Sequence, residues 1–262
     1  MIESPTELLK LSQHDHCLEI TIDNPPANTW NQDSLSGLVA IVDAADADRD
    51  IWSIVITGAG EKFFSAGADL KLFADGDKAV ASSMAGYFGA AFEALANFRG
   101  VTIAAVNGFA MGGGLEAVLA CDIAIAESHA KLAMPEATVG LLPCGGGTQN
   151  LAWTVGEGWA KRMILCGERV DADTALRIGL VHETVEPGTA LTRALELAES
   201  VGKQSPPAVA SCKALIQRAR HGDIGSAYSA EREAFVRLFD TEDQKEGVNA
   251  FLEKRQADWV NG

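Results

Sequence analysis

Basic residues are scarce in this chain. Lys and Arg number 21 against 36 Asp and Glu, so the formal charge is −15 and the pI lies near 4.7. Counterion release on nucleic acid needs clustered Lys and Arg, which excludes nucleic acid as the main partner. An anionic ligand must then be held by local positive groups against the overall field. Cysteine is also sparse: Cys17, Cys121, Cys144, Cys166 and Cys212 are odd in number and scattered, with no C-x-x-C. That excludes a disulfide framework and fits free thiols in a reducing compartment. The opening Met1-Ile2-Glu3-Ser4-Pro5 has acid and proline where a secretory leader has basic then apolar residues, so a soluble, cytoplasmic protein is expected. One apolar stretch, Val101 to Ala126, is long enough for a bilayer, but it contains Asn107, a triple glycine, Glu116 and Asp122. It reads as a buried strand–turn–helix–strand, with no membrane partner.

Several familiar chemistries lack their motifs. Gly58-Ala59-Gly60 follows a good strand, but the third glycine of a dinucleotide fingerprint falls at Phe63. No P-loop spacing occurs, and Ser65 sits in Phe64-Ser65-Ala66-Gly67 rather than in a nucleophile elbow. His14-Asp15-His16 has no third ligand nearby and reads as an edge turn, not a metal site. His129, His182 and His221 stand alone and read as structural.

What is present is an alternation of short strands and helices. Strands are expected at Cys17–Ile22, Trp52–Thr57, Val101–Val106, Asp122–Ala126 and, more weakly, Val181–Val185. Helices are expected at Asp33–Ala44, at Ala81–Phe98 and from Gly114. This alternation predicts an α/β fold with largely parallel pairing. After about residue 186 the strands give way to amphipathic helices, one opened by Pro206-Pro207, others at Ile224–Phe239 and Glu242–Trp259. Tyr228, Phe235, Leu238 and Phe239 are apolar positions on the second of these. The organisation predicted is a core over residues 1–200 with a helical extension over 201–262 that packs on the core or on another subunit.

Two turns suggest chemistry. In Asn107-Gly108-Phe109-Ala110-Met111-Gly112-Gly113-Gly114-Leu115-Glu116 a strand runs into glycines and then a helix start. Such a turn lets the backbone approach a ligand and leaves N–H donors unpaired, beside a dipole that favours a negative oxygen. A tight packing corner explains the same glycines equally well. Phe63-Phe64-Ser65-Ala66-Gly67-Ala68-Asp69-Leu70 is a second small-residue turn after a neighbouring strand. Together the two can aim two amides at one oxygen, an oxyanion hole for a carbonyl or thioester becoming an enolate. Glu116 lies in the first turn of the helix, and Glu136 follows 20 residues later in Ala133-Met134-Pro135-Glu136. Two glutamates flanking a water make an acid–base pair; a helix-dipole contact and a solvated loop charge are the plainer readings.

Phe64 to Lys71, Asn107 to Glu116, Pro135-Glu136, and Leu142-Pro143-Cys144-Gly145-Gly146-Gly147-Thr148-Gln149, with Glu246-Gly247 and Phe251 to Arg255, closely resemble the enoyl-CoA hydratase/isomerase (crotonase) family in order and spacing. The resemblance covers nearly the whole chain. It implies a spiral of ββα units with a helical C-terminal trimerisation region, assembled as a homotrimer or a dimer of trimers. The implied substrate is an acyl-coenzyme A thioester, with coenzyme A part of the substrate, no separate cofactor and no metal. The family's oxyanion amides carry over to Ala68 and Gly113, and its catalytic glutamates to Glu116 and Glu136. Both acids are present, which favours an enoyl-CoA hydratase of the β-oxidation type over a double-bond isomerase or a non-catalytic scaffold. Ala27, Ala66, Ala68, Asp69 and Leu70 would line the coenzyme A path. Lys71 would face the phosphates, and Phe235 and Lys254 match positions often offered to a neighbouring subunit's ligand. Residues Phe73 to Ala85 would shape the acyl pocket. Cys144 stands where such hydratases often have glycine, and a packing role is expected for it.

Overall fold

The computed structural model describes residues 2–220 and 224–262. The chain opens with an antiparallel hairpin, β1 (Leu9–His14) and β2 (Cys17–Ile22), turned at Asp15 with φ 47°. A short polar side chain tolerates that left-handed geometry. The histidines flanking Asp15 are engaged locally: His14 meets Glu19 at 2.8 Å, and His16 stacks on Trp52. Helix α1 (Gln32–Ala47) starts at a reciprocal capping box between Asn31 and Ser34.

A repeating unit follows. Strand β3 (Ser53–Gly58) passes into the short β4 (Phe63–Ser65), a 3-10 turn (Leu70–Phe73) and helix α2 (Lys78–Asn97). Strand β5 (Val101–Val106) passes into β6 (Phe109–Met111) and helix α3 (Gly113–Ala120). Strand β7 (Ile123–Glu127) passes into β8 (Lys131–Ala133), a 3-10 turn (Glu136–Val139) and helix α4 (Gly147–Leu165), kinked at Gly156. Then come β9 (Val170–Asp171), α5 (Ala172–Arg177), β10 (Glu183–Val185) and α6 (Ala190–Val201). The long strands form one sheet, ordered β1-β2-β3-β5-β7-β10, and the short ones a second, ordered β4-β6-β8-β9. Every pair in the first sheet beyond the opening hairpin is parallel. Each ββα turn thus advances both sheets by one strand, the spiral that the resemblance implies.

The central strands are buried on both faces, which explains their continuous apolar runs. Ile54, Ile56, Ala104 and Val106 face the main core with Trp30, Phe64, Phe92 and Phe98. Val55, Ile103, Ala105 and Ile125 face the other way, against Ala190, Ala194 and Ala198 of α6. Alanines at every fourth position let that helix lie close on the sheet.

Several sequence-based boundaries change. The apolar run from Val101 holds an extra strand, β6, between its first strand and its helix. Helices α7 (Pro206–Arg218) and α8 (Ile224–Leu238) form as expected, with proline in the first turn of α7. Helix α9 (Glu242–Glu253) stops six residues short of Trp259, because Lys254 turns left-handed at φ 57° and Arg255 clamps Glu246 at 2.6 and 3.0 Å. The tail folds back so that Trp259 packs on Gly247. Tyr228, Phe235 and Phe239 remain more than half exposed. His182 accepts the Ala124 amide at 2.9 Å, and the His129 ring lies 3.2 Å from the Glu61 carbonyl, both local structural roles; His221 lies outside the described residues.

Helix α7 is clasped to the core by Lys213, whose Nζ lies 2.7 Å from Asp122 Oδ2 and donates to the Gly100 carbonyl at 2.9 Å. The lysine side chain is 9% exposed and that of Asp122 25%. Replacing Lys213 with Met strands a half-buried carboxylate and should cost about 2 kcal/mol, read as a lower urea midpoint at unchanged m-value. A midpoint equal to the parent's would show that the clasp contributes nothing.

Candidate active site

The two glycine-rich turns meet at the ends of β4 and β6. Three hydrogen bonds shape the first: Ala66 N–H donates to Ala27 O at 2.9 Å, Trp30 N–H to Gly67 O at 2.8 Å, and Asp69 N–H to Trp30 O at 3.1 Å. These use the Ala66 and Asp69 N–H groups and the Gly67 carbonyl, and leave the Ala68 N–H out. Gly67 takes φ 88°, and a Cβ there would lie 2.7 Å from Met111 O and 3.1 Å from the Gly113 nitrogen. The turns therefore touch, and only glycine fits between them. Gly112 takes φ 52° and donates its N–H to Ala133 O at 2.9 Å, so Gly113 enters α3 as its first residue. Among the described residues, neither the Ala68 nor the Gly113 N–H has a protein acceptor.

Glu116 follows one turn later and is 2% exposed. Its Oε1 accepts from Gly145 N–H at 2.7 Å and Gly147 N–H at 2.8 Å. These amides belong to the glycine run before α4, and residue-level reading assigned them no role. The signal was available, since glycines ahead of a helix free amides here as they do at 112–114. Burial raises the Glu116 carboxyl above its ordinary range, against the lowering effect of the Gly147, Gly145 and Cys144 amides.

Glu136 opens the 3-10 turn after β8. A Cβ on Gly112 would fall 2.9 Å from its Oε1, and Gly112 O in turn accepts the Glu116 amide at 2.9 Å. The second acid therefore packs against the residue that caps the first acid's helix. Its Oε2 is buried with no hydrogen-bond partner. Burial pushes Glu136 up to about 7, and the nearby Glu116 charge pushes the same way. Helix α2 closes the far side: a Cβ on Gly113 would meet the Phe88 ring at 2.7 Å, and one on Gly145 the Phe92 ring at 2.5 Å. Neither phenylalanine stood out in the sequence; their spacing of four on one helix face is the trace they leave.

The remaining residues divide. Ala27, Ala66, Ala68, Asp69, Leu70 and Lys71 gather on one loop cluster, where Asp69 caps the 3-10 turn by accepting from Lys71 N–H at 3.1 Å. Lys71 is exposed and makes no ion pair among the described residues. Phe235 and Lys254 are not joined to this cluster: Phe235 is exposed on α8, edge-on to Phe239, and Lys254 ends α9. Phe73 closes the 3-10 turn before α2 and packs partly buried against the core. Cys144 corrects the expectation of a packing role, because the residue is exposed and its thiol lies beside the acid pair. Desolvation first, then the charges of Glu116 and Glu136, raise that thiol to about 11, so it stays protonated at neutral pH. The larger clefts, about 570 Å³ by Lys62 and His129 and about 660 Å³ under α7, contain neither glutamate.

The family model for enoyl-CoA hydratase/isomerase matches residues 13–262. The chain is 40% identical to a short-chain-enoyl-CoA hydratase of Clostridium acetobutylicum, covering 90% of this chain and 91% of that one. It is 37% identical to a crotonyl-CoA hydratase of Syntrophomonas wolfei, over 97% of this chain and 98% of the other. A solved structure of Pseudomonas aeruginosa DspI is 61% identical, covers 97% of both chains and superposes with a TM-score of 0.95. The chain belongs to the enoyl-CoA hydratase/isomerase family.

The raised Glu136 pKa has a consequence for stability. Folding raises this carboxyl from an ordinary 4.5 to about 7, so the fold disfavours its ionised form. The contribution is most favourable below about 4.5 and is lost as the pH climbs through about 7. Glu136→Gln, neutral and of like shape, escapes that loss. Its melting temperature should rise relative to the parent's between pH 5 and pH 8, and a difference independent of pH would refute the shift.

Proposed function

We propose that this chain adds water reversibly across the double bond of a 2-enoyl-CoA thioester, giving a 3-hydroxyacyl-CoA. The observation that supports it most is the convergence of a buried Glu116 and a partly buried Glu136, which feels its charge, with two touching turns whose Ala68 and Gly113 amides have no protein acceptor. The thioester oxygen would accept both amides, which draws electrons from the double bond toward the carbonyl. Each donor contributes on the order of 3 kcal/mol to lowering the barrier. Water between the glutamates gives a proton to Glu116 as its oxygen bonds the β-carbon. Glu136, whose pKa of about 7 keeps a substantial share of it protonated at neutral pH, gives a proton to the α-carbon of the enolate. The acids titrate as a pair and exchange roles in the reverse direction.

Ala27, Ala66, Asp69 and Leu70 would line the path of coenzyme A, with Lys71 toward its phosphates. Phe235 and Lys254 would reach a neighbouring subunit's ligand. A homotrimer, or a dimer of such trimers, suits the apolar surface of the C-terminal helices, where Phe235, Val236, Phe251 and Leu252 are all more than 60% exposed. The reaction as written takes its chemistry from the thioester and the two acids, with no separate cofactor and no metal, in a cytoplasmic setting of fatty-acid breakdown.

The test is turnover of a 2-enoyl and a 3-enoyl thioester in parallel, followed by absorbance of the conjugated double bond. Loss of absorbance with the first supports hydration; a gain with the second, alone, would make the protein an isomerase. Glu116→Gln and Glu136→Gln should each lower kcat by about 10² or more while thioester binding persists. Near-parental rates in either variant would defeat the assignment.

A further inference from the structure

Asn107 opens the glycine-rich stretch, yet it meets neither glutamate and takes no part in the steps above. It sits 8% exposed just past the end of β5, with its side chain fully engaged. Oδ1 accepts from Gly58 N–H at 3.1 Å and from Thr57 Oγ1 at 3.4 Å. Nδ2 donates to Gly58 O at 2.9 Å and to Gly60 O at 2.7 Å. Both amide hydrogens and the carbonyl oxygen are thus spent on the end of β3 and the turn that leaves it.

That turn leads through β4 to Ala68, while the backbone of Asn107 leads through β6 to Gly113. The side chain therefore joins the two approaches just before they diverge into the paired strands β4 and β6. Neither approach has slack. A Cβ on Gly58 would fall 2.3 Å from Phe63 O, one on Gly108 2.3 Å from Lys62 O, and Phe109 N–H donates to Lys62 O at 2.9 Å. Asn28, also buried, grips the same turn from the opposite side through Ala59 O and Phe63 O at 3.0 and 2.9 Å. Its bonds do not reach the corner between β5 and β6.

We propose that Asn107 is a positioning residue for the reaction: by tying the turn after β3 to the corner after β5, it sets the spacing of the Ala68 and Gly113 amides around the thioester oxygen. This rests on the oxyanion reading of those two amides. An amide displaced by a fraction of an ångström still binds substrate, but it no longer meets the oxygen where charge develops, so the loss falls on kcat.

The experiment compares the parent with Asn107→Ser, Asn107→Asp and Asn28→Gly, the last retaining access to the φ of 53° at that site. Each is measured for melting temperature, for kcat and KM on a 2-enoyl thioester, and for the absorption shift of a bound conjugated dienoyl thioester. Polarisation of the carbonyl moves that band to the red, so the shift reports the amides without turnover. Expected for both Asn107 variants is a fall in kcat of about 10- to 100-fold with KM within about 3-fold, and a diminished red shift at saturation. Asn28→Gly should melt lower while keeping the parental red shift.

An Asn107 variant with kcat within about 2-fold of the parent, or one whose kcat falls only with the folded fraction while the red shift stays, overturns the inference. So does failure of both Asn107 variants to fold, because the side chain then serves the fold alone. A parent that neither turns over nor shifts the chromophore sinks the oxyanion reading itself, which separates the two failures.

Discussion

The site depends on a carboxylate kept in the protein interior by backbone amides. Glu116 is almost wholly buried, and an ionised carboxyl there would be costly without donors aimed at it. Gly145 and Gly147 supply them, both to the same oxygen. That arrangement explains residues far from it in sequence. A Cβ on Gly147 would lie 2.8 Å from Glu116 Oε1, so the run before α4 must be glycine for its amides to come close enough. Because the donors lie in the main chain, the acid cannot swing away without losing both hydrogen bonds and leaving the two amides without their acceptor.

Glu136 is its less buried counterpart. Its Oε2 is buried without a partner, and the nearest charge of consequence is the other glutamate. Burial raises both carboxyls, but the Gly145 and Gly147 amides support the ionised form of Glu116, whereas Glu136 Oε2 has no such donor. Two carboxyls whose environments separate their proton affinities supply a base and an acid at one pH. Cys144 stands beside both and stays protonated, so it adds no further negative charge to the pair.

The long strands were legible either because burial on both faces makes an apolar run, as in β5, or because apolar and polar residues alternate, as in β2; both begin and end where their patterns do. The second sheet was not. Strands of three residues such as Phe63–Ser65 and Lys131–Ala133 are too short for any period to show, and they exist because neighbouring strands turn the same corner. Helix α9 was read too long because the apolar positions continue to Trp259, whereas its end is set by the Glu246–Arg255 ion pair and a left-handed lysine. In the site, Glu116 and Glu136 emerged from spacing and resemblance together. The amides that hold Glu116 did not, since a backbone donor leaves no mark beyond the glycines that expose it. Cys144 was misread because a free cysteine is ordinarily a buried one.

The acidity of the chain bears on how an anionic thioester would be held. A charge of −15 opposes the approach of coenzyme A, but exposed charges farther away than about 8–10 Å are largely screened at physiological salt. What remains is the local field, and at the loop cluster that field comes from Lys71, exposed and unpaired among the described residues, set against the Asp69 that caps the same turn. Within one subunit, one lysine beside one aspartate leaves little net attraction. Affinity would then come from the main-chain amides and from apolar contact along the pantetheine arm, interactions made only after docking. Such a site would discriminate through residence time rather than encounter rate, with selectivity set by the backbone around Ala68 and Gly113.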